Sequence, residues 1–224
     1  MITWLNGDNL NQLIGKLAQL WDDPQEVSLL TRMIRVLDDQ YGLSGKITKE
    51  PGVEEIVTQM VWRLANAVGK LSDIQGKKVL DIACGSNTSK APASIHIHMP
   101  FRKIISGRPS RGYTTLFEPW FCRILTVLGA DPVGVDFGDL DPEVFTHYRV
   151  DLGKVGALDF LPDHSFDAIQ DSRLFGSPEF TAQFPNPQDR LRVAREISRQ
   201  ERRLLKTGGI IIHSDAQEMV DKIK

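Results

Sequence analysis

The sequence predicts an α/β fold, a mostly parallel sheet of about five strands with flanking helices, preceded by an N-terminal helical segment. Three observations lead there. Apolar residues recur at three- and four-residue steps through residues 1–72, the spacing of helices with one buried face. From Lys77 onward the pattern changes to short apolar runs alternating with helical stretches, as in a sheet covered on both sides. Several of those runs end in an aspartate close to the following turn, at Asp81, Asp136 and Asp151.

In the first segment, Leu10, Leu13, Ile14, Leu17, Leu20 and Trp21 make one helical stripe, and Ile56, Val57, Met60, Val61, Leu64 and Val68 make another. Between them, Asp23-Pro24-Gln25-Glu26 combines an N-cap, a proline at the first helical position and a carboxylate that can reach back. This opens a helix through Val27, Leu30, Met33, Ile34 and Leu37. Three amphipathic helices are expected, acting as a lid or cap, with the stretch from Gly42 to Gly52 as a loop and hinge.

The predicted strands are Lys78 to Ile82, Val133 to Asp136, Tyr148 to Asp151, Phe166 to Gln170 and Gly209 to His213, with helices at Pro119 to Leu128 and Asp189 to Leu205. Between Asp136 and the third strand there is room for one short helical turn at most. Gly208-Gly209 reads as the turn that leads from the last helix into the fifth strand. Residues 73–224 then make one α/β domain carrying an insertion at about 87–117.

Composition narrows the function classes. The 27 Lys plus Arg nearly balance the 29 Asp plus Glu, so no global field drives the protein onto nucleic acid or an anionic membrane. The N-terminus lacks the features of a signal peptide, and no apolar run approaches the roughly 18 residues of a membrane span, so a cytoplasmic protein is expected. Cys84 and Cys122 are too few for a disulfide framework and lack the spacing of a structural zinc site.

The chemistry concentrates at strand ends. Lys78-Val-Leu-Asp-Ile-Ala-Cys-Gly-Ser86 carries a carboxylate at the end of an apolar strand and a glycine in the turn, where ligands bind in open α/β sheets. A turn without a Cβ lets backbone N–H groups approach a ligand, and the carboxylate can sit beside a cation. Asp136 ends the second strand, where one carboxylate can accept from both hydroxyls of a ribose. Asp151, after the third, is suited to accept from an exocyclic amine.

With these elements in this order, residues 77–215 resemble a class I S-adenosylmethionine-dependent methyltransferase, a Rossmann-like family. The resemblance implies S-adenosyl-L-methionine as cofactor, with Asp81, Ala83, Cys84, Gly85 and Ser86 around its methionine part. It places Asp136 and Phe137 beside the ribose and adenine, and Asp151 and Leu152 at the adenine. Gln170, Asp171 and Ser172 fall where the fourth strand meets donor and acceptor. Asp171 and His213 are the candidate general bases, joined by His96 or His98 if the insertion folds over the site. A small-molecule acceptor is expected rather than nucleic acid.

The sequence also departs from the family. Ala83 and Asn87 stand where the turn usually has glycines, leaving Gly85 alone. Asp136 follows Gly85 by 51 residues, against about 20 in a simple dinucleotide-binding unit, which defines the insertion. Eleven residues follow His213, where the family adds a helix and two strands. Ile210, Ile211 and Ile212 would then form an exposed edge, to be covered by the N-terminal helices, by a homodimer partner or by further chain.

Within the insertion, His96 and His98 would share a face of an extended segment, but no acid or cysteine stands nearby and no metal site is expected. Arg102, Lys103, Arg108 and Arg111, with Phe101 and Tyr113, suit a lid over an anionic or aromatic substrate, or a solvated loop. Arg192, Arg195, Arg199, Arg202 and Lys206 form a stripe able to meet RNA phosphates, read here as a solvated face because Glu196 and Glu201 intervene. A non-catalytic S-adenosylmethionine-binding or regulatory module and an RNA methyltransferase are the competing readings. A nicotinamide oxidoreductase is disfavoured, since the first turn lacks G-x-G-x-x-G.

Overall fold

The computed structural model describes residues 3–86, 117–138, 140–141, 143–171, 174–175, 180 and 183–221, with side chains from residue 9 onward. Four helices come first: α1 (Thr3–Ala18), α2 (Pro24–Tyr41), α3 (Leu43–Lys49) and α4 (Gly52–Val68). The expected cap opens α2, where the Asp23 carboxylate accepts from the Gln25 N–H at 2.9 Å. Gly42 closes it in the left-handed region, with φ 65°.

Residues 42–52, expected as a loop and hinge, instead contain α3. Leu43, Ser44 and Ile47 are buried, and the Ser44 N–H donates to the Asp38 carboxylate at 2.7 Å. Burial of this inward face outweighs the poor helix propensity of Gly45, Ile47 and Thr48. After α4, the buried Glu26 carboxylate accepts from the Leu71 N–H and the Ser72 hydroxyl, both at 2.6 Å, and so anchors a 3-10 turn over Leu71–Ile74.

The remaining elements are β1 (Lys78–Ile82), α5 (Trp120–Val127), β2 (Asp131–Asp136), β3 (Thr146–Arg149), β4 (Phe166–Asp171), α6 (Pro187–Leu204), β5 (Leu205–Ser214) and α7 (Asp215–Asp221). All strand pairs are parallel, in the order β3-β2-β1-β4-β5, which is a Rossmann-like arrangement. Two strands differ from expectation. β3 ends at Arg149, two residues before Asp151. β5 begins directly at the end of α6, and its register jumps from Phe166↔Leu205 to Ala168↔Ile210. The Gly208-Gly209 pair therefore lies in a bulge within the strand, with Gly208 at φ 77°, and is not a turn before it.

The sheet is the middle of three layers. On one face, buried residues of α1 to α5 share a continuous apolar core with Val79 and Ala168 of the sheet, and Ile210 and Ile212 pack half-buried against it. On the other face, Leu80, Ile82, Val135 and Ile169 pack with Val193, Ala194 and Ile197 of α6 and Ala216 of α7. Ile211, pointing to this side of the edge strand, is 40% exposed. The N-terminal helices are thus one of the two layers that bury the sheet.

An ionic knot fastens this layer to the core. Glu118 accepts from both Lys46 of α3 and Arg123 of α5, and Arg123 reaches Glu143 at 2.6 Å. The Arg123 guanidinium also lies over the rings of Tyr41 and Trp120, at 4.4 and 4.8 Å. Among the described residues, no helix is long and apolar enough to cross a membrane.

Candidate functional site

The strand order reverses between β1 and β4, so their outgoing loops diverge at the carboxyl ends of the sheet, the position at which open α/β sheets bind ligands. The turn after β1 lies there. Ala83 occupies the left-handed region at φ 59° and Gly85 sits at φ 97°. A Cβ on Gly85 would run into the carbonyl oxygen of Phe117, and the Ser86 N–H donates to that same oxygen at 2.8 Å. The Cys84 N–H continues the sheet ladder to Val135 O at 3.2 Å.

Asp136 ties this turn to β2. Its Oδ2 accepts from the Gly85 N–H at 3.0 Å and its Oδ1 from the Gly138 N–H at 2.9 Å. Each oxygen keeps further lone-pair capacity for another donor. Burial raises the Asp136 pKa, opposed by the backbone bonds from Gly138, Gly85 and Phe137. Phe137 is 47% exposed, with the Arg149 guanidinium 5.6 Å above its ring and Arg149 Nε donating to its carbonyl at 2.9 Å.

Asp81 is 1% exposed. Its Oδ2 accepts from the Cys122 thiol at 3.5 Å, while Oδ1 accepts no hydrogen bond among the described residues. Burial pushes its pKa up to about 8, and the charges of Asp136 and Asp171 add to this, against Cys122 and Gln170. The carboxyl is neutral at neutral pH. Gln170 is fully buried and faces Asp81 across the β1–β4 register. Burial also pushes the Cys84 thiol up to about 12 and raises Cys122, which disfavours the thiolate at both.

The other expected residues have different commitments. Asp151 lies beyond β3, where its carboxylate accepts from the Gly153 N–H at 3.1 Å and pairs with Lys154 at 3.8 Å. Leu152 is buried in the α6-side core. Asp171 is fully buried and accepts from the N–H groups of Asp215 and Ala216, the first residues of α7. Its pKa is raised well above the usual carboxylate range, by burial first and by Glu201 next. Glu201, itself pushed up to about 7 by burial, accepts from the Ser214 hydroxyl at 2.9 Å. His213 Nε2 bonds Asp215 at 2.7 Å.

The structure therefore ties the 81–86 turn to Asp136 and sets Gln170 opposite Asp81 at the carboxyl ends of β1, β2 and β4, and it binds Asp171 and His213 to the start of α7. Sequence reasoning missed Gly138 as a partner of Asp136, although Asp-x-Gly is an Asx-turn signature and recurs at Asp151-Leu-Gly153. It also missed Cys122 as a partner of Asp81, for which no local signal exists at a separation of 41 residues. Among the described residues, no group of three or more His, Cys, Asp or Glu could hold a metal ion. His96, His98, Ser172 and the Arg102 to Arg111 cluster lie outside the described residues. No protein-family model matches this sequence, and no curated protein matches it.

Proposed function

We propose that this chain binds S-adenosyl-L-methionine at the carboxyl ends of β1 and β2 and transfers its methyl group to a small-molecule acceptor. The observation that carries this reading is the Asp136 carboxylate, held between the Gly85 and Gly138 N–H groups at the mouth of the first turn. Its remaining lone pairs suit the two hydroxyls of a ribose. One further feature fits the donor: buried Asp81 keeps one oxygen without a hydrogen bond among the described residues. An ammonium group brought to that oxygen would draw Asp81 back to its ionised form.

When bound, the donor supplies an electrophilic methyl group on a good leaving group. The chain then has to orient the acceptor and receive any proton it loses. Calorimetry with S-adenosylmethionine, S-adenosylhomocysteine and NAD tests the reading. Micromolar binding of the first two and none of NAD is expected, with roughly tenfold weaker donor binding in Asp136→Asn, about 1.4 kcal/mol. Absence of donor binding to a wild-type protein with an intact thermal melt refutes it.

A donor-binding module without catalysis is the second reading, favoured by one observation. Both candidate bases, Asp171 and His213, are already engaged with α7. Incubation with methyl-labelled donor and a small-molecule cell fraction separates the two: labelled product supports the enzyme, and donor binding without product supports the module.

A further inference from the structure

Along the basic stripe, Arg199 of α6 pairs with Glu196 at 2.7 Å and Lys206 of β5 with Asp167 at 2.9 Å, and Arg203 beside the stripe pairs with Asp163. Arg195 and Arg202, like Arg192, have no carboxylate at ion-pair distance among the described residues. Seven residues apart, they are two turns along the same helical face. The chain as a whole has a net charge of -2, so two neighbouring unpaired guanidinium groups do not follow from an excess of cations.

Between α6 and α7 these two arginines line a cavity of about 130 Å³ together with Ser198, Gln217 and Val220. Ser198 is 3% exposed, and its hydroxyl donates to Gln217 Oε1 at 2.8 Å. Arg202 Nη1 donates to Ser198 Oγ at 3.1 Å and to the same Gln217 oxygen at 3.3 Å. These bonds occupy the Gln217 carbonyl oxygen, its amide NH₂ donates to no other described residue, and most of the five N–H donors of each arginine stay available. Glu201, which feels the Arg202 charge, is buried and bonded to Ser214. The lining is rich in donors and poor in acceptors, as an oxyanion requires. The cavity is smaller than the roughly 300 Å³ at which organic-ligand pockets begin, and it suits a single tetrahedral group.

We propose that the α6–α7 groove is a phosphate-binding site, in which Arg195 and Arg202 clamp one phosphate group of a phosphorylated small molecule or of a nucleic-acid strand and Gln217 donates to it. None of its residues belongs to the candidate site beyond β1 and β2, so the proposal stands independently of the donor-binding reading.

The test titrates the full chain with orthophosphate and, separately, with a short single-stranded RNA, following the backbone amide resonances of Ser198 and Gln217. Saturable shifts are expected, weakened roughly tenfold or more by Arg195→Gln. Arg195 makes no hydrogen bond to another described residue, so this variant leaves the packing of α7 intact, whereas Arg202→Gln also removes the bonds to Ser198 and Gln217. Arg192→Gln, an exposed position outside the groove, should change affinity by about twofold or less. RNA binding far tighter than orthophosphate identifies a polynucleotide source, and equal or weaker binding a small phosphorylated ligand. Loss of no more affinity in Arg195→Gln than in Arg192→Gln overturns the proposal, as does the absence of saturable shifts with either probe.

Discussion

Replacing Asp81 with asparagine should leave the protein progressively more stable than the wild type as the pH rises. Burial at 1% exposure lifts the Asp81 pKa from 3.8 to about 8. A carboxyl raised in the folded state contributes stability that is fully present below its unfolded pKa and is lost as pH climbs through the folded value. Each unit is worth about 1.4 kcal/mol, so between about pH 5 and pH 8 the wild type should lose about 4 kcal/mol through this residue. Asparagine has the same shape and does not ionise. Urea denaturation of both proteins across that range gives the free-energy difference directly, and taking the difference removes the titration of groups that do not interact with Asp81, such as Glu201. The gap should widen by about 1.4 kcal/mol per pH unit and level off above about pH 8. A gap that stays constant or narrows would refute a buried, neutral Asp81.

Gly85→Ala should destabilise the protein by about 3 kcal/mol and abolish donor binding, because the new methyl group meets the Phe117 carbonyl at a backbone φ of 97°; a thermal melt and calorimetry check both. Arg123→Met should cost about 3–5 kcal/mol in a denaturant titration, since it strands Glu143 in a buried setting and leaves Glu118 with Lys46 alone. In Asp171→Ala, the amides of α7 should lose hydrogen-exchange protection by roughly tenfold or more, as the carboxylate holding Asp215 and Ala216 is gone, while amides of β1 keep theirs. Uniform loss across the sheet would mean that Asp171 supports the whole fold and not α7 alone.

The sheet was legible because its inner strands are buried along most of their length and carry apolar centres, Val79-Leu80 in β1, Val133 and Val135 in β2 and Ala168-Ile169 in β4. The candidate site was legible in outline, since strand-terminal acids and a lone glycine are local signals. Its wiring was not. From sequence, Asp136→Ala looks like a change that removes ligand affinity and leaves stability untouched, yet Asp136 also accepts two backbone N–H groups from separate loops. Asp171 reads as a base at a strand end, and only the return of the chain at α7 reveals what its carboxylate holds. The same holds for Arg123, whose partners Glu118, Glu143 and Tyr41 come from separate stretches of chain. α3 escaped notice because its seven residues include only three buried positions, too few to establish a period.

The closure of Ser86 onto Phe117 bears on the chain between them. The chain departs at Ser86 and is back beside it at Phe117, joined by a hydrogen bond of 2.8 Å and clamped by the close approach at Gly85. The two ends of the intervening segment are thus held next to each other by residues of the frame itself, so a change in the length of that segment would leave the separation of its ends as it is.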